Sequence, residues 1–137
     1  KNLSADVSLQ VTGIKLRNTD RQGKALGDYT LRFSAAETRF ITFYLTLQNK
    51  CADLTEIKGL LVVKYFNPDG STKVSPQGRE GAYGRVTLSR PFTVEREVTV
   101  TGGWGSEKSP SFTVGINRIE FWYEGHKIGE KAFEVID

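Results

Sequence analysis

The residues whose types could do chemistry here are few: one cysteine, one histidine, two tryptophans and a scatter of carboxylates. A nucleophilic Cys51 or serine needs a base within hydrogen-bond reach, held in place by a third group. His126 is the only histidine, and Glu124-Gly125-His126-Lys127 reads as a tight hairpin turn that points it at water, far along the chain from Cys51. No His, Cys and carboxylate group has zinc spacing, and Asp69-Gly70 lacks the alternating acids of a calcium loop, so neither a metal nor another cofactor is expected. Glu120 and Glu124 share a strand face and could form the paired acids of a glycosidase, but they read more simply as solvated strand charges. The chain is therefore not expected to be an enzyme.

Two places carry chemistry suited to binding. In Thr101-Gly102-Gly103-Trp104-Gly105-Ser106 three glycines surround one indole, so that Gly103 and its neighbours would let a ligand approach the backbone while Trp104 offers a flat aromatic face to a sugar or peptide. The competing reading folds Trp104 back to plug one end of the molecule. The second place depends on strand parity. If Ile119, Phe121 and Tyr123 fill a core, Trp122 faces outward beside Arg118, Glu120 and Glu124. Leu60 and Val62 then face outward from a neighbouring strand whose Leu61, Val63 and Tyr65 point in. A Trp, a Leu and a Val on one outer face would make a docking patch, unless a loop such as residues 76–91 folds over them.

Side chains in such positions are set by strands, and period-two alternation dominates the sequence with no helical stripe. Ile41, Phe43, Leu45 and Leu47 alternate with Thr42, Tyr44, Thr46 and Gln48. Residues 92–101 repeat the pattern, with Phe92, Val94, Val98 and Val100 inward and Arg96 as one charged intruder. A first strand over about residues 6–17 changes phase at Gly13, which predicts a bulge or kink there and a strand that could pass from one sheet to the other. Shorter strands are expected through Tyr29, Leu31 and Phe33, around residues 71–75 after the Asn67-Pro68-Asp69-Gly70 turn, and near Val86 and Leu88. Residues 57–66 are apolar on both parities, as in a strand covered on both faces, and a hairpin closes the chain. Seven to nine mostly antiparallel strands fit a two-sheet sandwich better than a barrel.

At 137 residues, with 38% hydrophobic and 26% charged residues, residues 1–137 are expected to form a single domain with one core. The net charge of +3 comes from interleaved signs. The one basic cluster, Lys15, Arg17, Arg21 and Lys24, reads as solvated surface, so no nucleic-acid partner is expected. No apolar run approaches the roughly 18 residues that cross a bilayer, so no membrane insertion is expected. Met is absent, so translation is expected to have begun upstream of Lys1, with removal of a secretory signal as the natural reading.

The segment from Val114-Gly115-Ile116-Asn117-Arg118-Ile119-Glu120-Phe121-Trp122-Tyr123-Glu124-Gly125-His126-Lys127-Ile128-Gly129 to Phe133-Glu134-Val135 resembles the last hairpin of bacterial immunoglobulin-like accessory domains. Arg39 to Asn49 and Leu60 to Gly70 look like their central strands. The resemblance implies an immunoglobulin-like sandwich in a secreted, periplasmic or cell-envelope protein, acting as a spacer, assembly part or binding module beside a protein partner or neighbouring domain. It implies no catalytic residues. Asn117 stands where the family carries a Tyr, and Cys51 alone replaces the paired cysteines of antibody domains. Two functions follow as expectations: a non-catalytic accessory domain presenting a sheet face to a protein, or a carbohydrate-binding module using an exposed Trp.

Overall fold

The computed structural model describes residues 9–51, 55–73, 80–81, 84–85, 87–107 and 111–137. Among them there is no helix. In chain order the strands are β1 (Leu9–Thr19), β2 (Arg32–Ser34), β3 (Phe40–Asn49), β4 (Ile57–Phe66), β5 (Glu80–Gly81), β6 (Gly84–Arg85), β7 (Leu88–Val94), β8 (Glu97–Gly105), β9 (Gly115–Tyr123) and β10 (His126–Ile136). Eight of them form two facing sheets, ordered β1-β3-β8 and β2-β10-β9-β4-β7, while β5 and β6 make a two-stranded ribbon. Every pairing is antiparallel except β2 with β10. The expected all-β sandwich is the observed architecture.

Alternation decides what lies between the sheets. Ile41, Phe43, Leu45 and Leu47 of β3 are fully buried, as are Leu61, Val63 and Tyr65 of β4 and Ile119 and Phe121 of β9. Each such side chain contributes roughly 1.5–3 kcal/mol by leaving water. Phe43 of one sheet meets Phe121 of the other edge-on, with ring centroids 5.0 Å apart, a favoured aromatic geometry. The Tyr65 hydroxyl, buried with its ring, donates to Ile41 O at 2.6 Å and so ties the layers by a polar bond as well. Burial pushes its pKa well above the ordinary tyrosine value, so it stays protonated and able to donate.

The register of β1 on β3 slips between Val11 and Gly13, leaving Thr12 extra. That bulge restores parity, so Leu9 and Val11 before it and Ile14 and Leu16 after it all pack on the core. The strand does not change sheets: β1 stays on β3 throughout, and the chain crosses to the second sheet only at β2. Here the strand expected through Tyr29 and Leu31 is confined to Arg32–Ser34, and those two side chains are exposed. Backbone bonds explain this, because Leu26 N and Thr30 N donate to Asn18 O and Leu16 O along the outer edge of β1 and hold the segment there.

Residues 92–101 are two strands. The chain bends at Glu95-Arg96 and passes from β7 in one sheet to β8 in the other, so Arg96 is an exposed bend residue and not a charge on an inner face. Apolar parity continues across the bend because both strands turn the same faces inward, which hid the break. The closing hairpin has a two-residue loop, Glu124-Gly125, with φ of 49° and 81°, the left-handed pair that matches strand twist. Of the strand expected at residues 71–75, Thr72 bridges Phe66 and Lys73 N donates to Tyr65 O, while residues 74–75 and Val86 lie outside the described residues. The β5–β6 ribbon had no sequence signal beyond its glycines.

Candidate functional site

Residues two apart on a strand share a face, so Arg118, Glu120 and Trp122 of β9 stand in line on the outside of the five-stranded sheet. Registration sets Trp122 between Val62 of β4 and Lys127 of β10, and Glu120 between Lys64 and Glu130. The indole Nε1 donates to Glu120 Oε1 at 3.0 Å, and Arg118 Nε donates to Glu120 Oε2 at 2.9 Å. Lys127 Nζ lies 3.8 Å from the same oxygen and donates to Glu130 at 2.7 Å. Lys64 Nζ sits 4.6 Å from the centroid of the indole ring, within cation–π range. Glu120 is thereby only 6% exposed, a buried carboxylate held between Arg118 and Lys127 rather than a solvated strand charge. The bond to Glu130 raises the pKa of Lys127, and Lys127 lowers that of Glu130.

Three of the expected docking residues, Trp122, Arg118 and Glu120, are thus brought together, and Leu60 lies at the margin of the same face. Leu60 is 50% exposed because β4 begins to pair with β9 only at Leu61, so its lateral neighbour is Pro91 of β7 alone. Val62 departs from expectation. It is 4% exposed, flanked in register by Trp122 on one side and Ser89 on the other, and a small β-branched side chain between two neighbours is easily covered. The open apolar surface beside Trp122 is Leu60 with Pro91, bordered by the Trp122–Lys64 pair, and Ile116 is exposed farther along β9 on the same face. Lys64, Lys127 and Pro91 were not anticipated. Lys64 was within reach of the parity argument, being two residues after Val62; Lys127 and Pro91 needed the strand register.

Trp104 and Gly103 lie elsewhere. The expected glycine-rich loop is the end of β8, and Trp104 pairs with Ile41 and faces the core. Its ring meets Phe112 edge-on at 5.5 Å and Tyr65 at 6.4 Å, and Lys73 Nζ lies 5.0 Å from its centroid. Lys73 also donates to Ser111 O at 3.1 Å, and burial lowers its pKa against the opposing pull of Asp69. Trp104 packs as a plug at one end of the sandwich, the competing reading of the sequence. The glycines serve contact: a Cβ on Gly103 would come 2.5 Å from Thr42 Oγ1, and one on Gly105 2.0 Å from Arg39 O.

Of the catalytic candidates, His126 opens β10 as an exposed residue and Glu124 is an exposed turn residue, so the Glu120–Glu124 pair does not exist as two solvated acids. Among the described residues no three His, Cys, Asp or Glu cluster as metal ligands would. The basic cluster has acquired aromatic neighbours that the sequence did not place: Arg17 Cζ and Lys15 Nζ lie 4.2 and 5.1 Å from the centre of the Tyr29 ring. Asn117 is fully buried, and its Nδ2 donates to Thr113 O and Gly115 O, fastening the entry to β9 without a tyrosine.

No protein-family model matches the chain, and no curated protein matches it in sequence. Similar solved structures include an immunoglobulin-like protein of Pseudomonas aeruginosa, with a TM-score of 0.51 and 15% identity over 96% of this chain and 99% of that one. An alkylpurine DNA glycosylase, AlkC, of Pseudomonas fluorescens bound to DNA containing an abasic site analogue matches with a TM-score of 0.56 and 9% identity over 95% of this chain. A β-glucosidase of Listeria innocua in complex with glucose matches at 0.50 and 10% over 94% of it. This chain spans 31% of the glycosylase chain and 16% of the glucosidase chain. At such identities the likeness concerns the fold, which is an immunoglobulin-like β-sandwich.

Proposed function

We propose that this chain is a non-catalytic interaction or accessory domain of a bacterial secreted or envelope protein, and that it presents the outer face of its five-stranded sheet to a protein partner. The observation that carries the reading is Leu60, half exposed and in register with an exposed Pro91, beside an indole whose polar edge is already bonded to Glu120. An apolar centre with a rim of Lys64, Arg118 and Lys127 has the anatomy of a protein interface. The resemblance of the closing hairpin to accessory domains supports the location and the lack of catalysis. The carbohydrate reading finds less support, since Trp104 faces the core and the Trp122 ring is covered by Lys64.

The test is partner recovery from the native compartment with a photo-crosslinker at position 60, and with one at the exposed Gln10 of β1, on the other sheet and away from β8, as the control. A single protein captured at 60 and not at 10, and lost at least tenfold on Pro91→Glu, is the expected result. Recovery of free monomer alone would sink the proposal, and fractionation to the cytoplasm would sink its location.

A further inference from the structure

Among the described residues the two sheets have four outer edges, and three of them are blunted. β1 is capped over Leu16–Thr19 by the backbone bonds of Leu26 and Thr30 and the bridge to Ala25, β2 is three residues long, and β7 carries Pro91, which removes a donor. These are ordinary ways of blunting an edge. β8 is nine residues long, contains no proline, and among the described residues pairs only with β3.

Which of its peptide groups face outward follows from the register. Asn49 N donates to Arg96 O at one end of the pairing and Ser106 N to Arg39 O at the other, with no bulge between. Alternation then turns the peptide groups of Val98, Val100, Gly102 and Trp104 toward β3 and those of Thr99, Thr101 and Gly103 away from it. Beside these groups opens a cleft of about 340 Å³, lined by Thr42, Thr101, Gly102 and Gly103 and by two guanidinium side chains, Arg21 and Arg90. The Asp20 carboxylate at its margin is occupied by Gln22 N and Lys24 N. Arg21 has an exposed partner in Glu107 at 3.5 Å, a weak pairing. Arg90 donates to the neighbouring Ser89 O and has no carboxylate partner among the described residues.

We propose that the β8 edge receives an extended acidic peptide segment of another protein as a fourth strand, with Thr99, Thr101 and Gly103 supplying main-chain bonds and Arg21 and Arg90 holding its carboxylates. Strand addition draws affinity from the ladder and selectivity from side-chain sites at alternate positions. Charge chooses the occupant. A second copy joined antiparallel about Thr101 would bring the two Arg90 side chains, each packed against Gly102, toward one another near the two-fold axis. An acidic strand neutralises them instead.

The probe is a fluorescein-labelled octapeptide of alternating valine and glutamate, with the valine–lysine octapeptide as control, titrated against the whole chain by anisotropy. The acidic peptide should bind and the basic one should not. Arg21→Glu with Arg90→Glu, both exposed positions, should weaken binding at least tenfold, as should Thr101→Pro, which removes an outward donor while sparing the β3 ladder. Hydrogen exchange should slow at Thr99, Thr101 and Gly103 on binding and stay unchanged in β4 and β9. Leu60→Glu should leave this binding intact, which separates it from the sheet-face proposal. Equal binding of both peptides, an unmoved affinity in the double arginine variant, unchanged exchange along β8, or sedimentation as an edge-to-edge dimer would each overturn the inference.

Discussion

The two tryptophans have matching local descriptions and opposite places. Each is half-buried, each ends a run of alternating residues, and each has a lysine ammonium near its ring, Lys73 at 5.0 Å from Trp104 and Lys64 at 4.6 Å from Trp122. Trp104 points between the sheets at the open end of the sandwich, where Phe112 and Tyr65 meet it. Trp122 points away from the core, and apart from Val62 its neighbours there are polar: Glu120, Lys64 and Lys127. The same side chain is therefore a packing element in one region and part of a charged surface in the other. The difference comes from parity and from what the facing layer provides.

The sharpest way to test that contrast is to remove both indoles. Trp104→Ala should destabilise the fold by about 3 kcal/mol, the lower end for a large aromatic, because its site is partly open. Trp122→Ala should cost about 1–2 kcal/mol, the cation–π contact plus one charge-assisted hydrogen bond, on a face that water can reach. Urea denaturation measures both. Equal losses, or a larger loss at 122, would erase the distinction between plug and surface.

A smaller effect isolates the polar side of the comparison. Glu120→Ala removes the shared acceptor of Trp122 and Arg118 and leaves cations crowded on one face. With Arg118 and Lys127 near half exposed, solvent screens the loss, and about 1 kcal/mol is expected, together with red-shifted Trp122 fluorescence as the indole loses its anchor. Phe112→Leu should leave that emission unchanged and move that of Trp104.

Most of the sandwich was legible because burial on one face forces alternation. The inward residues of β3, the closing hairpin and the bulge beside Gly13 all follow from period two and from glycine or turn chemistry. What escaped has a common cause. The β7–β8 break, the inward turn of Trp104 and the burial of Val62 depend on which strand lies alongside, and a single sequence does not contain that register. Parity placed Trp122, Arg118, Glu120 and Leu60 on one face, yet it could not show that Glu120 would be covered or that β9 ends before reaching Leu60. The open edge of β8 was hidden in the same way, since its glycines read as a loop.

Two lysines, one in each region, have pKa values that move in opposite directions from 10.5. At the Trp104 end burial lowers that of Lys73, and on the Trp122 face Glu130 raises that of Lys127. A lysine depressed in the folded state penalises folding while it is charged, and the penalty is relieved as pH rises through its folded value toward 10.5. A lysine raised in the folded state contributes stability that is complete below 10.5 and is lost only as pH climbs through its higher folded value. NMR titration of the side-chain carbons should thus find Lys73 deprotonating before Lys127. Trp104→Phe, which keeps the plug but opens it slightly, should move the Lys73 midpoint back toward 10.5 and leave Lys127 where it was. If Lys73 titrated at or above the ordinary value, that end of the sandwich would be as wet as the outer face, and the two tryptophan regions would differ in packing but not in solvation.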